Sequence, residues 1–127
     1  MYMRTIGIDM GTKRIGLALS DETGAFALPL EVIEAGNEVV DRVDAIAHEH
    51  GVQTIVMGES KDYQGNLNKI MTHVYEFKKA LEIKGYTVVL EPEFMTSTHA
   101  GRFQGKNELL DASAAALILQ SYLDRTK

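Results

Sequence analysis

The chain contains no cysteine, so no disulfide bridge can support its fold. It has only two prolines, no tryptophan, and no apolar run of the ~18 or more residues that a membrane-spanning helix needs. No charged segment followed by an apolar one opens the sequence, so a secretory leader is not indicated either. From these absences we expect a cytoplasmic protein without membrane association.

Positive charge is also scarce. Thirteen Lys and Arg residues against eighteen Asp and Glu residues give a net charge of -5, which argues against strong non-specific attraction to nucleic acid. A nucleic-acid partner would have to be held locally or with help from metal ions. Apolar material is plentiful, because 45% of the 127 residues are hydrophobic. That is enough for one core, and we expect a single domain over residues 1–127.

Apolar periodicity predicts eight elements in the order βββαβαβα. Residues 3–10 alternate as a strand, with Asp9 on the face opposite Ile8, and two further apolar runs look like its hairpin partners. A helix is predicted from Asn37, as N-cap, to Gly51. The remaining elements are a strand in QTIVMG, a helix in NLNKIMTHVYEFKKALEIKG, a strand in YTVVLEPE and a buried Ala-rich helix over about 107–124.

This order predicts an α/β fold with a ribonuclease H-like mixed sheet of five strands, three antiparallel and then two parallel, flanked by helices. Acidic residues stand near the ends of its strands. Asp9 lies on the first strand, and Glu59 and Glu93 follow the apolar runs of the fourth and fifth. Asp111 is in the first turn of the last helix. We expect these carboxylates to approach one another at one edge of the sheet.

Three motifs make the chain similar to the YqgF/RuvX-type family of pre-16S rRNA nucleases and Holliday-junction-resolvase-like proteins. They are GIDMGTKRIGLALSD at 7–21, IVMGESKDYQGNLNKI at 55–70 and LLDASAAALILQSYL at 109–123. The resemblance implies a nuclease that hydrolyses phosphodiester bonds, foremost in maturing the 5′ end of the 16S ribosomal RNA precursor. Holliday junction resolution, on branched DNA, is the alternative. It also implies that Asp9, Glu93 and Asp111 are the catalytic acids.

Clustered carboxylates repel one another unless they share cations, and Mg²⁺ or Mn²⁺ are their natural partners. Two such ions can activate water and stabilise the leaving oxygen of a phosphodiester. In this hypothesis Asp9 bridges the metals, Glu93 and Asp111 complete the ligand set, and Glu59 adds a fourth ligand. Each acid also has a structural explanation: Asp111 complements a helix dipole, Asp9 caps a turn, and Glu59 and Glu93 are surface charges.

Four basic residues are candidates for binding the nucleic-acid backbone. Lys13 and Arg14 directly follow the first acid, where the family also has basic residues, so they could hold a flanking phosphate. Arg102 and Lys106 lie in AGRFQGK, between the last strand and the last helix, and could close on a substrate. The plainer alternatives are a solvated hairpin pair and a flexible connection.

One motif departs from the family. The family's Asp-Glu-Arg-hydrophobic-Thr-Thr motif reads PEFMTS here, with Pro92 for the acid and Phe94 for the arginine. One phosphate-gripping guanidinium is therefore missing, which favours a non-catalytic nucleic-acid-binding module as a second reading. A third arises because GIDMGT also resembles the phosphate-binding hairpin of sugar kinases and actin-like ATPases. A chain of this length holds one such lobe. The sequence is compatible with either a monomer or a homodimer.

Overall fold

The computed structural model describes residues 4–11, 13–36, 38–59, 70–92 and 108–126. The strands are β1 (Thr5–Met10), β2 (Arg14–Ser20), β3 (Ala27–Glu34), β4 (Thr54–Glu59) and β5 (Thr87–Pro92). The helices are α1 (Val39–His50), α2 (Ile70–Ile83) and α3 (Glu108–Arg125). Their order along the chain is the one that the periodicity predicts. Within the described residues, no helix combines the length and apolarity needed to cross a membrane.

The five strands form one mixed sheet in the order β3-β2-β1-β4-β5. β1, β2 and β3 are successive antiparallel neighbours, whereas β4 is parallel to both β1 and β5. Parallel neighbours need a long crossover connection, and α1 is part of the one between the hairpin strands and β4. The predicted ribonuclease H-like sheet is therefore confirmed, with β1 at its centre.

The two faces of the sheet are covered by different helices. α1 and α2 bury large aliphatic side chains on one face, including Val43 and Leu81, which pack with Ile8 and Met57 of the central strands. We call this the α1–α2 face. α3 covers the opposite face, which we call the α3 face. The buried residues at this contact, from the strands and from α3, are Ala18, Val56, Ala115, Ile118, Leu119 and Leu123. Each fully buried Leu or Ile contributes about 1.5–3 kcal/mol to folding.

α3 comes very close to the central strand. A Cβ atom placed on Gly7 would lie 2.7 Å from Cβ of Leu119 and 3.0 Å from the carbonyl oxygen of Ala115. Glycine at this position therefore allows the helix to approach the backbone of β1. The prediction that the helix packs on the sheet is confirmed, but it is not buried all round, because Leu117 is 50% exposed on its outer side.

The ends of α1 are only partly as predicted. The N-cap is Glu38, not Asn37, and it makes no side-chain capping bond; Asn37 lies outside the described residues. The backbone supplies the bond instead, because the N–H of Val39 donates to the carbonyl of Gly36 at 3.4 Å. At the other end Gly51 has the predicted role: it is left-handed, with φ 67°, and its N–H donates to the carbonyl of Ala47.

Candidate functional site

Asp9 stands near the carboxyl end of the central strand, between two glycines. It pairs with Gly16 of β2 on one side. On the other side the register runs through Ile8 and Met57, which brings Asp9 level with Gly58 of β4. Neither neighbouring position carries a side chain, so the sheet leaves space beside the half-buried Asp9 carboxylate. An ion or a phosphate could use that space.

The face that Asp9 occupies follows from strand alternation. Gly7 lies against α3, and residues two apart on a strand share a face. Asp9 is therefore on the α3 face. Met10, the next residue, packs against the core of the α1–α2 face, as alternation requires.

The turn after Asp9 sets the position of the two basic residues. A Cβ atom on Gly11 would collide with the carbonyl oxygen of Arg14, so glycine permits this close turn. Arg14 begins β2 two residues before Gly16, and alternation gives it the same face as Asp9. Lys13 is exposed at the turn itself. Both cations therefore lie at the sheet edge where Asp9 lies, while their phosphate-binding role stays a prediction.

Glu59 is the last residue of β4, at the same edge of the sheet. It follows Gly58 directly, so alternation places it on the α1–α2 face, opposite Asp9. The described strands thus bring Glu59 to the predicted edge without placing it on the face of Asp9. Its role as a fourth metal ligand stays a prediction, and the geometry of β4 lends it no support.

The other predicted site residues are less fully described. Asp111 lies in the first turn of α3, as predicted, with its side chain outside the described part. Glu93, Arg102 and Lys106 lie outside the described residues altogether. Across the residues that are described, no three His, Asp or Glu side chains come close enough together to hold a metal ion. The ligand set Asp9, Glu93 and Asp111 therefore remains a prediction.

The structure adds one buried acid that the sequence analysis missed. Glu91 of β5 is 4% exposed, and both its oxygens are bonded to α3. Ser121 Oγ donates to Glu91 Oε2 at 2.9 Å, while Arg125 Nε and Nη2 donate to Oε1 at 3.2 and 2.6 Å. We call these three residues the Glu91 cluster. Glu91 pairs with Gly58, which puts it on the row and the face of Asp9.

The Glu91 cluster pairs one buried group with one half-exposed group. The hydrogen bond and the charge of Glu91 raise the pKa of Arg125 above its usual value, so Arg125 stays cationic. Its guanidinium carbon lies 5.6 Å from the ring centroid of Tyr122, within cation–π range. Removing the Arg125 guanidinium would leave the buried carboxylate of Glu91 without its charge partner.

A sequence pattern could have revealed this cluster. In TVVLEP the acid Glu91 alternates with Val89, which packs on the α3 face, so a charge stands at a core-facing position. Ser121 and Arg125 are four residues apart and so lie on one side of α3. A buried acid requires a partner, and these two helix residues can provide it.

A cavity of about 570 Å³ opens at the same edge of the sheet but on the other face. Met10, Val39 and Phe77 contribute apolar walls, and His73 and Glu76 of α2 also line it. Since Asp9 lies on the α3 face, this cavity is separate from the predicted metal site.

Comparison with known proteins confirms the resemblance that the three motifs indicate. A family model described as RuvX, Holliday junction resolvase, matches residues 3–125. A protein of Geobacillus kaustophilus (strain HTA426), named "Putative pre-16S rRNA nuclease", is 39% identical over 135 residues, covering 96% of this chain and 98% of the relative. A protein of the same name from Desulforudis audaxviator (strain MP104C) is 33% identical over 137 residues, covering 98% and 96%.

Solved structures share the fold. Thermus thermophilus RuvC in complex with a Holliday junction substrate superposes with a TM-score of 0.62 at 19% identity, covering 98% of this chain and 96% of that one. The fowlpox virus Holliday junction resolvase superposes with a TM-score of 0.55 at 12% identity, covering 98% and 100%. At these identities the likeness establishes the architecture alone.

Proposed function

The chain belongs to the RuvX family, and from this premise we propose that it is a metal-dependent nuclease that hydrolyses phosphodiester bonds. The substrate that we propose is the 16S ribosomal RNA precursor, which the names of its relatives specify. We assign its place of action to the cytoplasm and its fold to one domain. The observation that carries the proposal is Asp9, a carboxylate near the end of the central strand, flanked by Gly16 and Gly58.

The proposed metal ligands are Asp9, Glu93 and Asp111. Carboxylate oxygens are hard donors that suit Mg²⁺ or Mn²⁺, so the chemistry of this set fits the ions. When bound, a pair of such ions would activate water and stabilise the leaving oxygen. The position of Asp9 on the α3 face and of Asp111 in the first turn of α3 supports this set. We leave Glu59 out, because alternation along β4 assigns it to the other face.

The phosphate would be held by Arg14 and Lys13. A chain with a net charge of -5 has to attract nucleic acid through local cations. Support comes from Arg14, which shares an edge and a face of the sheet with Asp9. Arg102 and Lys106 are proposed as further contacts to the nucleic-acid backbone.

The test compares the purified full chain with its Asp9→Asn variant. Each is incubated with precursor 16S rRNA, single-stranded RNA and a four-way DNA junction, in Mg²⁺ or Mn²⁺ and in EDTA. Asp41→Asn is the matched control, since Asp41 is an exposed acid on α1. We expect the wild type and the control to cleave the precursor only with metal, and Asp9→Asn to be about 10³-fold slower, a loss of about 4 kcal/mol of transition-state stabilisation.

Each other outcome points to a different reading. Cleavage at the wild-type rate by Asp9→Asn, or cleavage of nothing by the wild type, would sink the proposed site. Binding of nucleic acid without cleavage would support a non-catalytic module, and saturable ATP binding without nucleic-acid binding would support a single ATP-binding lobe. Junction cleavage in preference to RNA would favour resolvase activity, the function in the family model's description. Two copies would then be needed to cut two strands.

A further inference from the structure

The Glu91 cluster links β5 to the last two turns of α3 by three directed hydrogen bonds. Elsewhere α3 packs on apolar residues such as Ala18 and Val56 through non-directional contacts, and Gln120 bonds the backbone of Ala25 and Ala27 at the other side of the sheet. A planar guanidinium bonded twice to a carboxylate fixes direction as well as distance. The cluster therefore fixes the β5 side of α3 and, together with Gln120, the angle at which the helix crosses the sheet.

The cluster bonds β5 to α3 and lies on the sheet row of Asp9, the predicted metal ligand of β1. Glu91 lies on the row and face of Asp9, two residues before Glu93 along the chain. Its partners Ser121 and Arg125 belong to the helix whose first turn contains Asp111. A change in the cluster would thus alter the position of α3, whose first turn contains Asp111, relative to β5 and to the row of Asp9.

The length of α3 makes the first turn sensitive to small rotations. Ten residues separate Ser121 from Asp111, which is about 15 Å of helix. A tilt of about 4° at the Glu91 cluster would therefore move the first turn by about 1 Å. Displacements of about 1 Å in a catalytic arrangement can cost about 100-fold in rate.

We propose that Glu91 is a positioning residue of the metal site, which acts through Ser121 and Arg125 to hold α3 at the angle that the ligand set requires. This inference rests on the proposed function. A purely stabilising contact would not need a charge at this position, because replacing buried ion pairs by apolar residues is often neutral or stabilising. Val89, on the same face of the same strand, provides such an apolar contact.

The experiment uses the full chain with Glu91→Gln, which keeps the shape of the side chain and removes its charge. Arg125→Lys is a second variant, which keeps the positive charge and removes the pair of guanidinium hydrogen bonds. Arg125 is 54% exposed, so this variant should fold. Glu31→Gln is the matched control. It weakens a similar pair of hydrogen bonds from Arg42 to Glu31, at 3.0 and 2.8 Å, which join α1 to β3.

Three quantities are measured: Mn²⁺ affinity by calorimetry without nucleic acid, kcat and KM for cleavage, and the urea midpoint in EDTA. We expect Glu91→Gln to weaken Mn²⁺ binding about tenfold and to lower kcat about tenfold, with KM unchanged. Arg125→Lys should show about a threefold loss in both, and Glu31→Gln none.

A lower urea midpoint in Glu91→Gln with wild-type Mn²⁺ affinity and kcat would overturn the proposal and leave a structural role. Equal losses in Glu31→Gln would overturn it too. A wild-type chain that neither binds Mn²⁺ nor cleaves would overturn the proposed function together with this inference. A wild type that binds and cleaves, beside an unchanged Glu91→Gln, would overturn this inference alone.

Discussion

The helices on the two faces of the sheet are packed by different kinds of contact. On the α1–α2 face, large aliphatic side chains from two helices interlock with the central strands, and the contacts are non-directional. On the α3 face, one helix touches the backbone of β1 at Gly7, and polar groups fix it at both sides of the sheet. Gln120 bonds the backbone of Ala25 and Ala27 beside β3, while Arg125 bonds Glu91 of β5.

This difference indicates where stability and geometry reside. Apolar cores tolerate changes that conserve volume, so the α1–α2 face can supply folding energy without fixing any one distance to a fraction of an ångström. Close backbone approach and directed hydrogen bonds restrict a helix to a narrower range of positions. Asp9 and Arg14 lie on the α3 face, which has the directed contacts. A metal site requires such fixed distances between its ligands.

The largest expected loss of stability comes from a cavity on the α1–α2 face. Leu81 is fully buried in α2, and Leu81→Ala should lower the free energy of unfolding by about 2–5 kcal/mol, through lost burial and the cavity left behind. Urea unfolding measures the loss. Leu117→Ala, at an exposed position of α3, is the control and should change little. Folded Leu81→Ala should bind Mn²⁺ as the wild type does, and a weakening beyond about twofold would contradict the division between the faces.

Adding one methyl group at Gly7 tests the packing of the α3 face. Gly7→Ala places a Cβ atom 2.7 Å from Leu119 Cβ, so α3 has to move away from β1. We expect a loss of about 1–3 kcal/mol in unfolding free energy from overpacking, smaller than for Leu81→Ala. Mn²⁺ affinity should nevertheless fall, because α3 carries Asp111. Gly36→Ala is the control, with nothing within 4 Å of the added atom. Unchanged Mn²⁺ binding in Gly7→Ala would show that the position of α3 does not matter to the site.

Periodicity predicted this fold well because each element has a strong local pattern. Alternation gave β1, the 3.6-residue period gave α2, and Gly51 ended α1, since each depends on neighbouring residues alone. The N-cap of α1 was wrong by one residue, because the turn that brings the carbonyl of Gly36 to Val39 is not visible as a pattern. Element ends are set by such backbone bonds as much as by side chains.

The candidate site was less accessible from the sequence. Asp9 and the first turn of α3 were placed correctly on their elements, but which face each acid occupies depends on the register between strands. That register puts Glu59 opposite Asp9, and it puts Glu91 beside it. The partners of Glu91 lie thirty residues or more along the chain, on α3. Local patterns mark Glu91 as a charge at a core-facing position and place Ser121 and Arg125 on one side of α3, but they do not show that the strand and the helix meet there.

A left-handed residue at the end of α1 contributes to stability outside the candidate site. Gly51 has φ 67° at the end of α1, a conformation that costs other residues about 1 kcal/mol. Gly51→Ala should therefore lower unfolding stability by about 1 kcal/mol, and Gly51→Asn by less, because Asn tolerates this region. Urea titration measures both. Neither variant should alter Mn²⁺ affinity, and a change in it would mean that α1 and the metal site are coupled.

The smallest expected effect comes from a pH-dependent hydrogen bond between Asp44 of α1 and Tyr86, the residue before β5, on the α1–α2 face. Tyr86 donates its hydroxyl to Asp44 Oδ1 at 2.5 Å. This bond lowers the pKa of Asp44 below its usual 3.8, so the stability it gives is present above that pH and is lost as the pH falls through the lowered value. Burial, and then Asp44, raises the pKa of Tyr86 from 10.0 to about 12, so that contribution is complete below pH 10 and is lost towards pH 12.

Tyr86→Phe removes the bond, and its urea midpoint should lie below that of the wild type by a constant amount from about pH 5 to about pH 9. The gap should narrow in acid, as Asp44 takes up a proton, and again in strong alkali, as Tyr86 loses one. Tyr75→Phe, on the exposed side of α2, is the control and should show no gap at any pH. A gap that stays constant into acid would mean that Tyr86 stabilises the chain through packing, because only the bond to Asp44 depends on that carboxylate's charge.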